Sequence, residues 1–201
     1  MGGYKLYTYF KSTTAWRSRI ALNLKQIKPE YVFVDLLHGK QKSEEYLKVN
    51  PNHGVPTLIT PNGNIIYESM AIIEYLNEKY KSINDYFPGD PEFRAKIRTF
   101  CEVINSDIHP YQNLRLLEKI NEDYNADKIA WGKYWTNRGV STLEKILVAN
   151  NSSGKYVFGD QITAADILFY PQVTATKVRW GNDLSQYPNV TRILHNLQSV
   201  K

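Results

Sequence analysis

The chain is poor in the residues on which metal, redox and disulfide chemistry depend. It has a single cysteine, Cys101, so an internal disulfide, a CxxC thiol-exchange pair and a cysteine-rich zinc site are all excluded. Core packing is the expected role of Cys101. The four histidines, His38, His53, His109 and His195, are widely spaced and show no ligand pattern, so no metal is expected. No stretch reaches the roughly 18 consecutive apolar residues needed to span a bilayer. The opening "MGGYKLYTYF" lacks the charged-then-apolar order of a signal peptide, and the expectation is a soluble, cytoplasmic protein without a membrane partner. No basic block with interleaved aromatics is present, which argues against nucleic acid as a partner. Internal repeats and low-complexity segments are missing too.

What is there is enough for a folded protein. With 201 residues and 42% hydrophobic content, the chain can bury a sizeable core in one compact domain or two small ones. The formal net charge of +5 is mild and weakly favours anionic small molecules.

The order of the elements changes midway. "KLYTYF" alternates as a strand does, and "WRSRIALNLK" places Ile20, Leu24 and Ile27 at helical spacing. "EYVFVDL" is a second strand, and a βαβ unit of about 30 residues implies a parallel pair. "SEEYLKV" is a short helical candidate, and "VPTLITPNGNIIYE" reads as an antiparallel hairpin turning at Asn62-Gly63. "SMAIIEYLNEKY" then forms a helix that Ser69 can cap. Beyond the linker "SINDYFPGD", from about residue 90, the β-runs almost vanish. Asp90-Pro91 starts a long helix that His109-Pro110 kinks or interrupts, with "YQNLRLLEKI" continuing it. A second long helix follows, and Thr163 with Asp166 forms an approximate capping box before an apolar run. The expectation is an α/β thioredoxin-like domain over 1–82 and an all-α domain over 90–201.

Three stretches carry chemistry, each with a plainer alternative. Ser12, Thr13 and Thr14 lie between the first strand and the first helix, at the end of a parallel strand where ligands of open α/β folds bind. A hydroxyl there can donate to an anion, and donation to a thiolate lowers the thiol pKa below its reference of about 8.5. Hydroxyls at that place also serve simply as helix caps. Val55-Pro56 stands before a strand; a cis bond would turn the Val55 backbone outward for an extended peptide, whereas a trans proline would be an ordinary edge feature. Glu68-Ser69 opens a helix whose free N–H groups suit a carboxylate while Glu68 accepts from an ammonium; a plain cap explains the same residues.

The stretches "FKSTTAWRSRIALNLK", "NPNHGVPTL", "YESMAIIEYL", "HPYQNLRLL" and "ITAADILFYPQV" together resemble the zeta-class glutathione transferases, over nearly the whole chain. The resemblance implies a thioredoxin-like glutathione-binding domain, a helical substrate-binding domain and a homodimer. It implies glutathione as cofactor. The activity implied is glutathione-dependent cis–trans isomerisation of maleylacetoacetate to fumarylacetoacetate, in tyrosine and phenylalanine breakdown. Alternatives within the same architecture are a general transferase or peroxidase acting on other electrophiles or α-halo acids, and a non-catalytic dimerisation module.

Against the family's SSCSWR, Ser12 falls on the first serine, which supports the glutathione thiolate, and Thr13 on the second. Both are implied catalytic. Thr14 replaces the cysteine and Ala15 the last serine. The resemblance further places Val55 and Pro56 at the cysteinyl backbone, Glu68 and Ser69 at the γ-glutamyl end, and Gln41 at the glycyl part. Arg17, Asn113 and Arg115 join the glutathione contacts. His109 stands where the family has glutamine, and a histidine before proline is also a plain helix-break residue. Arg17, Arg115 and Arg179 are the candidates for binding an anionic small-molecule substrate, because guanidinium groups grip carboxylates in pairs of bonds. Surface or interdomain ion pairing is the alternative for each, and the expected role of Arg19.

Overall fold

The computed structural model describes residues 2–200 and divides into two compact units, Met1–Tyr86 and Phe87–Lys201. In the first, β1 (Lys5–Thr8) leads into α1 (Thr13–Leu24), β2 (Glu30–Phe33), a 3-10 turn at Lys40–Lys42 and α2 (Glu44–Leu47). β3 (Thr57–Ile59), β4 (Ile65–Tyr67) and α3 (Ser69–Lys79) complete it. The sheet order is β2-β1-β3-β4. β1 pairs in parallel with β2, Lys5 opposite Glu30, and antiparallel with β3, Lys5 opposite Ile59. The hairpin between β3 and β4 turns at Gly63, whose φ of 81° is costly for any residue with a Cβ.

Leu6, Leu58, Ala21, Leu22, Ile72, Ile73 and Leu76 form the fully buried core of this unit, contributed by β1, β3, α1 and α3. The helix expected after β1 is present, but its inner face is not the one expected. Ile20, Leu24 and Ile27 are only partly buried, and Ile27 lies beyond the helix end; Ala15, Arg17, Ser18, Ala21 and Leu22 face inward instead. Small residues let α1 approach its neighbours closely, and the buried cations are tied to polar partners. Lys25, just past α1, donates to the carbonyls of Tyr80, Ile83 and Asn84 and lies 4.2 Å from the centre of the Tyr86 ring. A buried ammonium is tolerable only with such satisfaction. It fastens the segment after α3 to α1.

The second unit is all-helical: α4 (Pro91–Asp107), α5 (Leu114–Tyr124), α6 (Lys128–Ala149), α7 (Ala164–Val178) and α8 (Pro188–Gln198). Asp90 caps α4, its carboxylate accepting from the Phe93 N–H at 2.8 Å. A 3-10 turn over His109–Gln112 separates α4 from α5, so "YQNLRLLEKI" starts a new helix rather than extending the old one. The proline ring at 110 cannot supply the N–H that a continuing helix needs. α7 is buried on most sides, with Ala164, Ala165, Ile167, Leu168, Phe169 and Val173 enclosed, as expected for a helix that is apolar all round. Asp166 in its first turn accepts from Thr163 N–H and hydroxyl, at 2.9 and 3.0 Å, and from Val157 N–H at 2.9 Å. The Glu144 carboxylate of α6 receives the N–H groups of Asn189 and Val190 at the start of α8. Cys101 is fully buried, in the packing role expected of it. Among the described residues no helix is long and apolar enough to cross a membrane.

Candidate active site

The hydroxyl cluster sits where α1 begins. Ser12 is the N-cap, in extended conformation, and its Oγ accepts from the Ala15 N–H at 3.2 Å. Thr13 is the first residue of α1 and is half-buried. Ser12 Oγ and Thr14 Oγ1 lie 2.9 Å apart, and Thr14 donates to the Val55 carbonyl, also at 2.9 Å. The cap and the anion-donor readings therefore fall on the same oxygen. The positive end of the helix dipole adds a field that favours negative charge beside Ser12.

The Val55–Pro56 peptide bond is cis, and Pro56 is buried while Val55 is half-buried. The chain leading into it is pinned by residues that the sequence did not single out. Asn50 Nδ2 donates to Gly54 O at 3.0 Å and Thr57 Oγ1 at 2.9 Å, and the Tyr46 hydroxyl also donates to Gly54 O. Both are buried.

At α3 the cap position belongs to Glu68 rather than Ser69. Ser69 is the first helical residue and is buried, and its hydroxyl accepts from Arg17 Nη1 at 3.3 Å. Glu68 takes φ of 70°, a region that a residue with a side chain seldom occupies and that recurs at binding sites. Its exposed carboxylate accepts from Asn52 Nδ2 at 3.0 Å. Arg17, expected as a contact to substrate as well as to glutathione, has 0% exposed surface and reaches Ser69 from within the unit. Arg19, expected in an ion pair, instead donates to Thr8 Oγ1 at 2.6 Å and to the Tyr9 carbonyl at 3.2 Å.

Gln41 lies in the Lys40–Lys42 turn, 9% exposed, with Nε2 donating to Leu36 O at 3.3 Å. Its buried Oε1 has no hydrogen-bond partner among the described residues. An orphan acceptor of this kind costs about 1–3 kcal/mol unless a donor from outside the chain satisfies it.

In the second unit, Asn113 caps α5, its Oδ1 accepting from the Arg115 N–H at 3.0 Å. Half-buried His109 opens the preceding 3-10 turn, and Arg115 is exposed. Buried Gln112 donates through Nε2 to Gln172 Oε1 and accepts at Oε1 from the Trp180 indole N–H, both at 2.7 Å. Arg179 ends α7, exposed, with its guanidinium 4.7 Å from the centre of the Trp180 ring. Gln112 thus joins the turn carrying His109 and Asn113 to the helix end carrying Arg179. Gly132 lets the indole seat itself: a Cβ there would stand 2.2 Å from the ring.

Known proteins share this arrangement of sequence. Residues 11–79 match the glutathione S-transferase N-terminal domain, and residues 111–201 the glutathione S-transferase C-terminal domain. The chain is 40% identical over 200 residues to maleylacetoacetate isomerase of Dictyostelium discoideum, covering 97% of this chain and 89% of that protein. Its backbone is similar, with a TM-score of 0.92 and 32% identity, to a bacterial maleylpyruvate isomerase described as a zeta-class glutathione S-transferase, over 98% of this chain and 93% of that one. A maleylacetoacetate isomerase of Methylobacterium extorquens AM1, solved with malonate and glutathione bound, gives a TM-score of 0.92 at 31% identity over 98% and 92% of the two chains. The chain belongs to the glutathione S-transferase family, in its zeta class.

Proposed function

We propose that the protein is a glutathione-dependent isomerase converting maleylacetoacetate to fumarylacetoacetate, acting as a cytoplasmic homodimer in tyrosine and phenylalanine breakdown. The observation that carries this is the capping hydroxyl of α1, Ser12, linked through Thr14 to the carbonyl of Val55 before Pro56, in a chain 40% identical to a maleylacetoacetate isomerase. Residues 1–82 hold glutathione and residues 90–201 supply the substrate contacts.

The residues fit that tripeptide. The orphan Oε1 of Gln41 offers an acceptor to a peptide N–H of the glycyl part. The N–H groups at the head of α3, with the Ser69 hydroxyl, take the γ-glutamyl carboxylate, and Glu68 accepts from its ammonium group. Val55 and Pro56 present their backbone to the cysteinyl residue, in the manner of an added strand. Ser12, with Thr13 and Thr14 beside it, faces the sulfur, and donation from Ser12 keeps the thiol ionised near neutral pH. Arg17 acts through Ser69, to which it is bonded.

When bound, glutathione would supply a thiolate able to add reversibly to the conjugated double bond, so that the former double bond can rotate. The chain's own part is to hold the sulfur negative and to fix the two substrate carboxylates. Arg115 and Arg179 of the second unit, both exposed guanidinium groups, take those carboxylates. Dicarboxylate recognition accords with the malonate found in the Methylobacterium extorquens protein. Purified protein incubated with maleylacetone and glutathione tests the reading: the cis compound is lost only when glutathione is present. No glutathione-dependent loss would reject the isomerase and leave the transferase alternative to a panel of other electrophiles.

A further inference from the structure

The hydrogen bonds around Thr14 fix where the hydroxyl protons lie. A carbonyl has no proton to give, so the bond between Thr14 and Val55 O uses the one proton of Thr14. The 2.9 Å contact between the two hydroxyls must then be donated by Ser12. In this structure the chain runs Ser12 to Thr14 to Val55 carbonyl, and the proton that should face a sulfur points away from it.

We propose that Thr14 is a positioning residue that reverses this chain when a thiolate is bound. Resting on the glutathione reading above, the reversal turns the Ser12 proton to the sulfur, while Thr14 swings its own proton from Val55 O to Ser12 Oγ. No covalent bond changes and no proton leaves its oxygen; only two hydroxyl torsions rotate. Ser12 Oγ then accepts from Ala15 N–H and Thr14 O–H and donates once, which is the complement a hydroxyl can carry. The Val55 carbonyl loses one donor and becomes free to accept the amide N–H of an extended ligand. Charge favours the reversal, since a hydrogen bond to an ion is about twice as strong as one between neutral groups. Donation by Thr14 polarises the Ser12 O–H, strengthening its bond to sulfur by about 10–30%. A cysteine at this position, as the family motif has, donates only weakly through its S–H, so Thr14 gives this chain a second hydroxyl behind the first.

The test compares Thr14→Val, which keeps the shape and removes the hydroxyl, with Thr14→Ser, which restores it. The first readout is the pKa of the enzyme-bound glutathione thiol, followed by the ultraviolet absorbance of the thiolate across pH. Thr14→Val should raise it by about half a unit, a threefold change in the ionisation constant, and Thr14→Ser should return it to the wild-type value. The second readout is the affinity for S-methylglutathione, whose sulfur cannot ionise; this affinity should stay within about twofold in both variants. Should Thr14→Val fail to fold, Thr14→Ala gives the same comparison. A bound-thiol pKa unmoved to within about 0.1 unit, or a shift that serine does not restore, overturns the relay while leaving glutathione binding intact. Loss of S-methylglutathione affinity in step with glutathione also overturns it, making Thr14 a structural tether only. A wild-type protein that binds no glutathione sinks the underlying reading and the relay together.

Discussion

Ser12 caps α1 through Ala15 N–H, and the proposed function asks its hydroxyl to donate to the sulfur as well. Replacing Ser12 with alanine removes both. Turnover should fall by at least about tenfold, roughly 1.4 kcal/mol of transition-state stabilisation, measured as kcat with maleylacetone and saturating glutathione. A fold-level loss of stability would accompany it, since an N-cap serine contributes about 1 kcal/mol; a thermal melt separates the two effects. Equal activity would shift the donor role to Thr13 or the backbone. At this scale the sequence was informative about identity and poor about posture. The cap at Ser12 and the backbone bend at Val55-Pro56 were legible. That Glu68 rather than Ser69 would cap α3 was not, because a glutamate at positive φ breaks the preference on which the reading rested. Arg17 looked like a surface group or a ligand, and its burial under Ser69 depends on a partner 52 residues away.

Among the elements, α7 depends on a carboxylate that burial makes expensive. Enclosure pushes Asp166 up from 3.8 to about 6, outweighing the donors from Val157 and Thr163 that favour the charged form. A folded pKa above the unfolded one means that the native state holds the extra proton between those values. The stabilisation from this group is therefore full below about pH 4 and is lost as pH rises through about 6, by up to about 3 kcal/mol. Urea unfolding of the wild type and of Asp166→Asn between pH 4 and 7 checks this: the wild type should lose ground against the variant as pH rises. A wild type that gains ground would mean that the hydrogen bonds outweigh burial. The capping box itself was visible in the sequence, as Thr163 and Asp166 stand three apart before an apolar run. The break between α4 and α5 was legible as a kink or interruption at His109-Pro110; nothing local told that Asn113 would restart the helix. The Gln112 bridge was hidden for a different reason: Gln172 and Trp180 lie 60 and 68 residues away, and local spacing carries no information about such pairs.

For the molecule as a whole, the sequence puts the change from strands to helices at about residue 90, and the order of elements in the first unit followed from strand alternation and the Asn62-Gly63 turn. What hydrophobic spacing missed was the inner face of α1, where alanine, serine and tied cations take the places that larger apolar side chains usually fill. Lys25 is the clearest case, because its three carbonyl partners come from the stretch that closes the first unit. An amine sealed in this way cannot meet an acylating reagent until the surrounding chain comes apart. Pulse labelling with acetic anhydride, read by peptide mass, should therefore modify the exposed lysines at once and Lys25 only at the pace at which the unit breathes open. Lys25 modified as fast as the rest would mean that the clasp does not hold in solution. The same ammonium would then serve as a built-in clock for local unfolding, reporting from a place that carries no dye and needs no engineering.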